Sequence, residues 1–557
     1  MNHPKSKPSL GAATSGGACL FAACLLLAAC SSKTDGGSPP GTTAGASSSG
    51  AGSGSAGDAS GVPGGAANAA GGPSGASGSP GAGGNSGSPS QAGQAGTPVG
   101  AAGSGPTSSV AITPHAVALT AGKAYNVAED LFDDGFVPAS PLANFGFHTP
   151  IIPVVRADGS LDVAWLDYTN GKGKPFALPA PGMIYVTHID PTFATGTTVA
   201  TGISSYRLLG FTVDPGGAYY IAYCVDHPFK ASATDGDQND VDGNELKVAK
   251  SASPDFATKD WDSLVFGDKD NTIELAKGNA GAAGSGVLGF DSMNQKLVLY
   301  VAHQMRWDDG VRHQAGYFGY FDPATGVQTK AGGNSTSQTG AGWFYSHNFN
   351  QRLLIDQGVA YTLAHGDAYD RQLGFSAWTL DSYTKKNGTT FDVSYFAIAG
   401  TEGDNKTDTE TGQFIKLSDG RFVIVHTTSQ GGRSARDVRV VLANGTTGAT
   451  LSEAWLTTNT GNIQAMIPKL EVLGENLFVS YGLWDSTQRT NKKIDWYSLV
   501  LDLALKPLGP AKPATGVEFV TSSPLFRFPA GPSAGSVGWV SGNAMHTLTV
   551  NVASSAP

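Results

Sequence analysis

An all-β fold, built from repeated antiparallel units, is predicted by three observations. Short runs alternate apolar and polar residues, the spacing of a half-buried strand. Helical periodicity is almost absent from the repeated segments. One pattern of about a dozen residues returns seven times, and a recurrence at fixed intervals marks a repeat architecture.

The copies are "ADGSLDVAWLDY" (157–168), "PGGAYYIAYCVD" (215–226), "NQKLVLYVAHQM" (294–305), "DQGVAYTLAHGD" (356–367), "SDGRFVIVHTTS" (418–429) and "LGENLFVSYGLW" (473–484), with a weaker seventh, "SAGSVGWVSGNA" (533–544). Each opens on a turn residue or two, often Asp-Gly or Gly, continues in alternating apolar residues, and closes on an aromatic or His before a polar loop. A second strand follows the loop: "GMIYVTHIDP" (182–191), "NELKVAKSAS" (244–253), "AGYFGYFDPATG" (315–326), "GFSAWTLDS" (374–382), "DVRVVLANGTTG" (437–448) and "IDWYSLVLDL" (494–503). Several end in Asp or Asn ahead of Thr-Gly or Pro, residues that make turns.

Seven sheet units in series resemble the seven-bladed β-propeller superfamily, in which radial repetition leaves only short, protected sheet edges. The resemblance is one of architecture. The chain has no Trp-Asp blade signature, no kelch Gly-Gly pattern and no Ser-x-Asp-x-Gly-x-x-Trp box. A pair of β-sandwiches is the alternative, although it would not require the repeat.

Ahead of the repeats stand two segments of different character. Lys5 and Lys7 precede an apolar run over 18–29, a secretory leader too short to span a bilayer comfortably. Leu27-Ala28-Ala29-Cys30 resembles the lipobox of bacterial lipoproteins, which implies cleavage after residue 29 and acylation of Cys30. An ordinary secretory leader that happens to contain a Cys is the other reading. Ser31 follows Cys30, and in a Gram-negative cell that pattern implies the outer membrane, facing the surface or the periplasm. From 31 to about 109 the sequence is almost all Gly, Ala, Ser, Pro and Thr, too poor in apolar groups to offset ordering entropy, so a disordered linker is expected. As a coil it would reach about 50 Å. The expected divisions are therefore a signal peptide at 1–29, an anchored linker at 30–110 and the repeat domain at 111–557.

Composition excludes some partners. Asp and Glu outnumber Lys and Arg by 45 to 35, giving a net charge of −10, which disfavours nucleic acid and anionic lipid surfaces. Of four cysteines, Cys19 and Cys24 leave with the leader and Cys30 carries the anchor. Only Cys224 remains in the repeats, so no intramolecular disulfide supports the domain; a buried, inert thiol within an apolar strand is expected. A monomer, tied to the lipid bilayer through Cys30, is the expected state.

Candidate functional residues gather in the loops after the repeated strand. The third such loop region holds Arg306, Trp307 and Arg312; the fourth Asp367, Tyr369 and Arg371; the fifth Arg433; the sixth Trp484. Arginines beside aromatics offer forked donors and stacking faces, suited to sugars, carboxylates or a protein loop. A solvated rim whose charges pair among themselves is the plainer possibility. The closing positions of the strands read Trp165, Tyr223, His303, His365, His426, Tyr481 and Trp539. His303, His365 and His426 would form a Zn or Fe site if they converged; packing between sheets is the alternative. Asp235, Asp237 and Asn239 match the start of a Ca²⁺ loop, but Asp240 stands where that loop has Gly and no Glu closes it. No nucleophile elbow, zinc-protease helix or phosphate loop is present.

These observations point to a surface-anchored, non-catalytic domain that binds a glycan or a protein through polar loops on one face. An exported hydrolase or lyase of polysaccharide or peptide, using His347, His365 and Asp367, is the alternative. A scaffold of the cell envelope is a further one.

Overall fold

The structure, a computed structural model, describes residues 110–120, 151–167, 181–205, 207–226, 244–266, 281–306, 312–330, 344–346, 348–366, 373–379, 385–386, 390–391, 393–398, 409–487, 494–519, 523–544 and 546–555. These belong to one unit, Thr97–Pro557. The expected leader and the linker up to residue 109 lie outside the described residues. Among the described residues the named regular elements are all strands, and no helix is long and apolar enough to cross a membrane.

The strands pair antiparallel into seven sheets of four or five strands and one two-stranded ribbon, Lys385–Lys386 with Thr390–Phe391. The first sheet runs Ile151–Val155, Leu161–Asp167, Gly182–Ile189, Gly196–Ser205. The second runs Arg207–Val213, Tyr219–Asp226, Asn244–Ser251, Trp261–Phe266. The third contains Gly281–Asp291, Lys296–Arg306, Arg312–Phe321 and Gln328–Lys330, with Phe344–Ser346 beside its third strand. The fourth contains Asn348–Asp356, Val359–Gly366, Leu373–Thr379 and Val393–Ala397. The fifth runs Glu410–Lys416, Phe422–Thr428, Asp437–Ala443, Thr450–Trp455, and the sixth Ile463–Leu473, Asn476–Asp485, Ile494–Leu501, Lys512–Pro513.

The repeated pattern is thus the second strand of each sheet, and its predicted partner is the third. The seventh sheet departs from chain order. Phe526–Arg527, Val537–Ala544 and Thr547–Ser555 supply three strands, and the N-terminal strand Val110–Ala118 is the fourth, paired from Val110↔Ser555 to Ala118↔Thr547.

Alternation along each second strand explains how the sheets associate. Leu161, Val163 and Trp165 pack with Phe528, Val540 and Val550 of the seventh sheet, while Ala164 and Leu166 pack with Phe211, Ile221 and Tyr223 of the second. With both sides apolar, a sheet must bury two faces, and each finds a neighbouring sheet. Equivalent clusters join the second to the third, the third to the fourth, and so on to the sixth and seventh. The first strand of each of the first six sheets lies against that of the next, and Ile151–Val155 also contacts Val537–Ala544 of the seventh.

The closing positions on the second strands are taken up by this packing wherever their side chains are described. Trp165 stacks on Tyr185 at 4.6 Å and donates its indole N–H to Thr187 Oγ1 at 3.0 Å. Tyr481 stacks on Tyr497 at 5.9 Å, and Trp539 on Phe519 at 4.5 Å. Tyr223 is buried, with its hydroxyl on Asp262. Cys224 is fully buried in the cluster between second and third sheets, and burial pushes its thiol up to about 12. At neutral pH it is neither a nucleophile nor a ready metal ligand.

Candidate functional site

Connections after successive antiparallel strands fall at alternate ends of a sheet. The loops after the second strands therefore share one end, where the first strands also begin. The fifth of these loops, residues 429–436, is described in full, and its two arginines, Arg433 and Arg436, turn in different directions.

Arg433 lies with its Cζ 3.7 Å from the Trp455 ring centroid and donates from Nη1 to Asp437 Oδ2 at 2.6 Å. Arg439, cross-strand partner of Trp455, pairs with Glu453 and donates from Nη1 to Gln430 Oε1 at 2.8 Å. Its guanidinium carbon lies 5.7 Å from the same indole. Asp437 also accepts from Thr457 Oγ1 at 2.8 Å and Asn459 N at 2.6 Å, which binds the loop to the crossing between the fifth and sixth sheets. What this leaves at the surface is a guanidinium, the edge of a half-buried indole and the Glu453 carboxylate, 42% exposed. That set can donate to and accept from hydroxyls while offering an apolar edge.

Arg436 turns inward. Its Nη1 donates to Glu410 Oε2 at 3.2 Å, and both side chains are buried. Ile467 N also donates to Glu410 Oε1, at 3.2 Å. Burial raises the Glu410 carboxyl above its usual range, and the nearby Arg436 opposes the rise.

A line of polar contacts continues along the first strands, because these strands carry register shifts at similar places, Phe349/Arg352, Thr411/Phe414 and Met466/Lys469. Such bulges re-aim side chains that a regular pleat would send elsewhere. Arg352 Nε donates to Gly412 O at 2.7 Å, Gln413 exchanges two bonds with Leu525 at 2.9 and 3.1 Å, and Lys469 Nζ donates to Ser523 O at 2.9 Å. Gly412 lets two neighbouring backbones close in, since a Cβ there would stand 2.4 Å from Val425 O and 2.7 Å from Pro468 O.

The structure places the predicted site residues unevenly. Arg433 lies at the loop end as expected. Trp484 is only 5% exposed and packs with Met466, Trp496 and Trp539 between the sixth and seventh sheets, so its ring faces a core. Arg306 and Arg312 are cross-strand partners at the end of the third sheet's second and third strands; their side chains lie outside the described residues. Trp307, His347, Asp367, Tyr369 and Arg371 lie outside them altogether, as do Asp235, Asp237 and Asn239 and the anchor Cys30. His303 and His365 stand on described strands without described side chains, whereas His426 is fully buried between Thr411 and Arg439 in register. Among the described residues no group of three His, Cys, Asp or Glu is placed to hold a metal ion. Arg439, Glu453 and Trp455 escaped the sequence reading. They meet only through the register of third and fourth strands, which no local motif announces.

No family profile matches the chain, and no curated protein sequence does. Among solved structures it is similar to the NanB sialidase of Streptococcus pneumoniae, at 10% identity over 68% of this chain and 71% of that one, with a TM-score of 0.37. It is also similar to a sialidase of Trypanosoma rangeli, at 13% identity over 66% and 55% of the two chains, TM-score 0.35. A third is an endo-arabinase of Bacteroides thetaiotaomicron, at 12% identity over 55% and 96%, TM-score 0.26.

Proposed function

We propose that the chain is an exported lipoprotein, acylated at Cys30, whose repeat domain is a seven-bladed β-propeller that binds a glycan at the end bearing the second-to-third loops. Seven apolar clusters alternating with seven sheets, the last shared between the seventh and the first, support the blade number. The observation that carries the binding reading is the Arg433–Trp455–Glu453 set, held by Asp437 and Arg439 at that end. Sugar rings present hydroxyls beside an apolar face, and this set answers both. The reading includes a monomer with no nucleic-acid partner, the latter supported by the net charge of −10.

A glycan array probed with the exported chain, with and without Ca²⁺, tests the reading. Specific capture of neutral or acidic glycans, weakened in Arg433→Ala and Trp455→Ala, is expected. Capture unaltered in both variants would remove the rim from the account, and calcium dependence would bring in Asp235, Asp237 and Asn239.

A hydrolytic reading draws on one observation. His365 closes the fourth sheet's second strand at the end where the first strands begin, and in the sequence His347 directly precedes the fourth sheet's first strand while Asp367 directly follows its second. A His and a carboxylate at one end of a sheet are the residue types of general acid and base chemistry. Release of reducing ends from a polysaccharide, abolished in His365→Ala or Asp367→Ala, would favour it over binding alone.

A further inference from the structure

The opposite end of the sheets carries the turns between first and second strands. A groove of about 600 Å³ opens there across the turns of the first three sheets. Arg156, Asp158, His188, Val213, Pro215 and Phe290 are among the residues that line it.

Beneath the groove sits a charge that packing does not call for. Asp162 is fully buried on the second strand of the first sheet, on the side where Ala164 and Leu166 meet the second sheet. The same side of the following sheets carries Tyr220, Val298, Tyr361, Val423 and Phe478. A buried carboxylate is costly unless paired, and a buried ion pair is rarely more stabilising than apolar residues of the same volume. What Asp162 does accomplish is orientation. One of its oxygens accepts from Arg156 Nε, and the other stands 3.0 Å from Nδ1 of His188, its cross-strand partner.

A carboxylate on Nδ1 selects the tautomer and fixes the ring plane, leaving Nε2 to a ligand. The His188 side chain is 53% exposed. Arg156 is held a second time, its Cζ 5.3 Å from the Tyr219 ring centroid.

The turn that carries Arg156 and Asp158 is closed by its own hydrogen bonds. Arg156 N donates to Ser160 O at 2.8 Å, Gly159 N to Arg156 O at 3.0 Å, and Ser160 donates through both N and Oγ to Asp158 Oδ1. Gly159 has φ of +88°, and a Cβ there would stand 2.4 Å from Ala530 O, so the turn is seated against the seventh sheet. Donors positioned in advance lose little freedom on binding.

We propose that this groove is a second, separate subsite for a neutral sugar unit of a glycan. Arg156 and His188 address its hydroxyl oxygens, Asp158 accepts from a hydroxyl, and Phe290 with Pro215 supplies the apolar wall. The mixed charge selects this class. An anion would meet Asp158 and Asp214, which also lines the groove, and a cation would meet Arg156, whereas a polyol uses donors and acceptors together. The subsite does not depend on the rim, being at the other end of the sheets.

Calorimetric titration of the full exported chain with cellohexaose, xylohexaose and arabinohexaose tests it, with hexagalacturonate and inorganic phosphate as charged probes. Saturable binding of at least one neutral oligosaccharide is expected. His188→Ala and Asp162→Leu should each weaken it by about tenfold or more, the loss of one well-placed hydrogen bond or more. Asp162→Leu should keep the thermal midpoint; should it fail to fold, the exposed His188→Ala alone decides. Trp455→Ala should leave this binding in place. Absence of neutral-sugar binding, binding of the charged probes only, or unchanged affinity in His188→Ala would overturn the proposal. Loss in Trp455→Ala without loss in His188→Ala would overturn it while sparing the rim.

Discussion

Arg436 Nη1 donates to Glu410 Oε2 at 3.2 Å, joining the loop after the fifth sheet's second strand to the start of its first strand, with both side chains out of water. Removing one partner of such a pair strands the other, at a typical cost of about 3–5 kcal/mol. Arg436→Ala is therefore expected to lower the urea midpoint strongly. Glu410→Gln keeps an acceptor for Ile467 N and should cost less. Equal, small losses in both variants would show that the pair is not held as described.

Glu471, part-buried on the sixth sheet's first strand, has its carboxyl raised from 4.5 to about 7 by burial. A raised carboxyl binds its proton more tightly folded than unfolded. Its contribution to stability is thus fully present below pH 4.5 and is lost as pH rises through about 7. The chain should unfold at higher denaturant at pH 5 than at pH 8. In Glu471→Gln that difference should shrink by about 1–3 kcal/mol, the size of a shift of this order. A slope unaltered in the variant would place the titration elsewhere.

The N-terminal strand separates two deletions. Removing 110–118 takes the fourth strand from the seventh sheet and exposes the edge of Thr547–Ser555, together with the apolar contacts of Val117. A fall of about 10 °C or more in thermal midpoint is expected, since several kcal/mol of burial goes with it. Removing 33–105 should leave the midpoint where it was, because that segment offers almost no apolar side chain to a core. A shared effect of the two deletions would mean that the low-complexity segment packs on the sheets.

Cys30→Ala should shift the exported chain from the membrane fraction to the soluble fraction, since acyl chains on that thiol are the proposed anchor. Persistence in the membrane pellet would refute acylation at this position.

Much of the sheet architecture was legible in the amino-acid sequence. Strand alternation has a period of two, and a turn needs only a few neighbouring residues, so Leu161–Asp167, Tyr219–Asp226 and their counterparts declared themselves locally. The first and fourth strands of each sheet were less visible. Bulges interrupt the alternation of first strands at Thr411/Phe414 and Met466/Lys469, and fourth strands such as Lys512–Pro513 are too short to show a period.

The sequence by itself determined the all-β character, the sevenfold recurrence, the buried thiol of Cys224 and the loop end that holds Arg433. The tertiary structure alone decided that Val110–Ala118 closes the seventh sheet, that Arg436 turns inward to Glu410, that Trp484 fills a core, and that Asp162 holds Arg156 and His188. The physical reason is range. Periodicity and turn chemistry act between residues a few positions apart, whereas these four outcomes depend on which strand edge is left unpaired and which residues fall opposite one another across it.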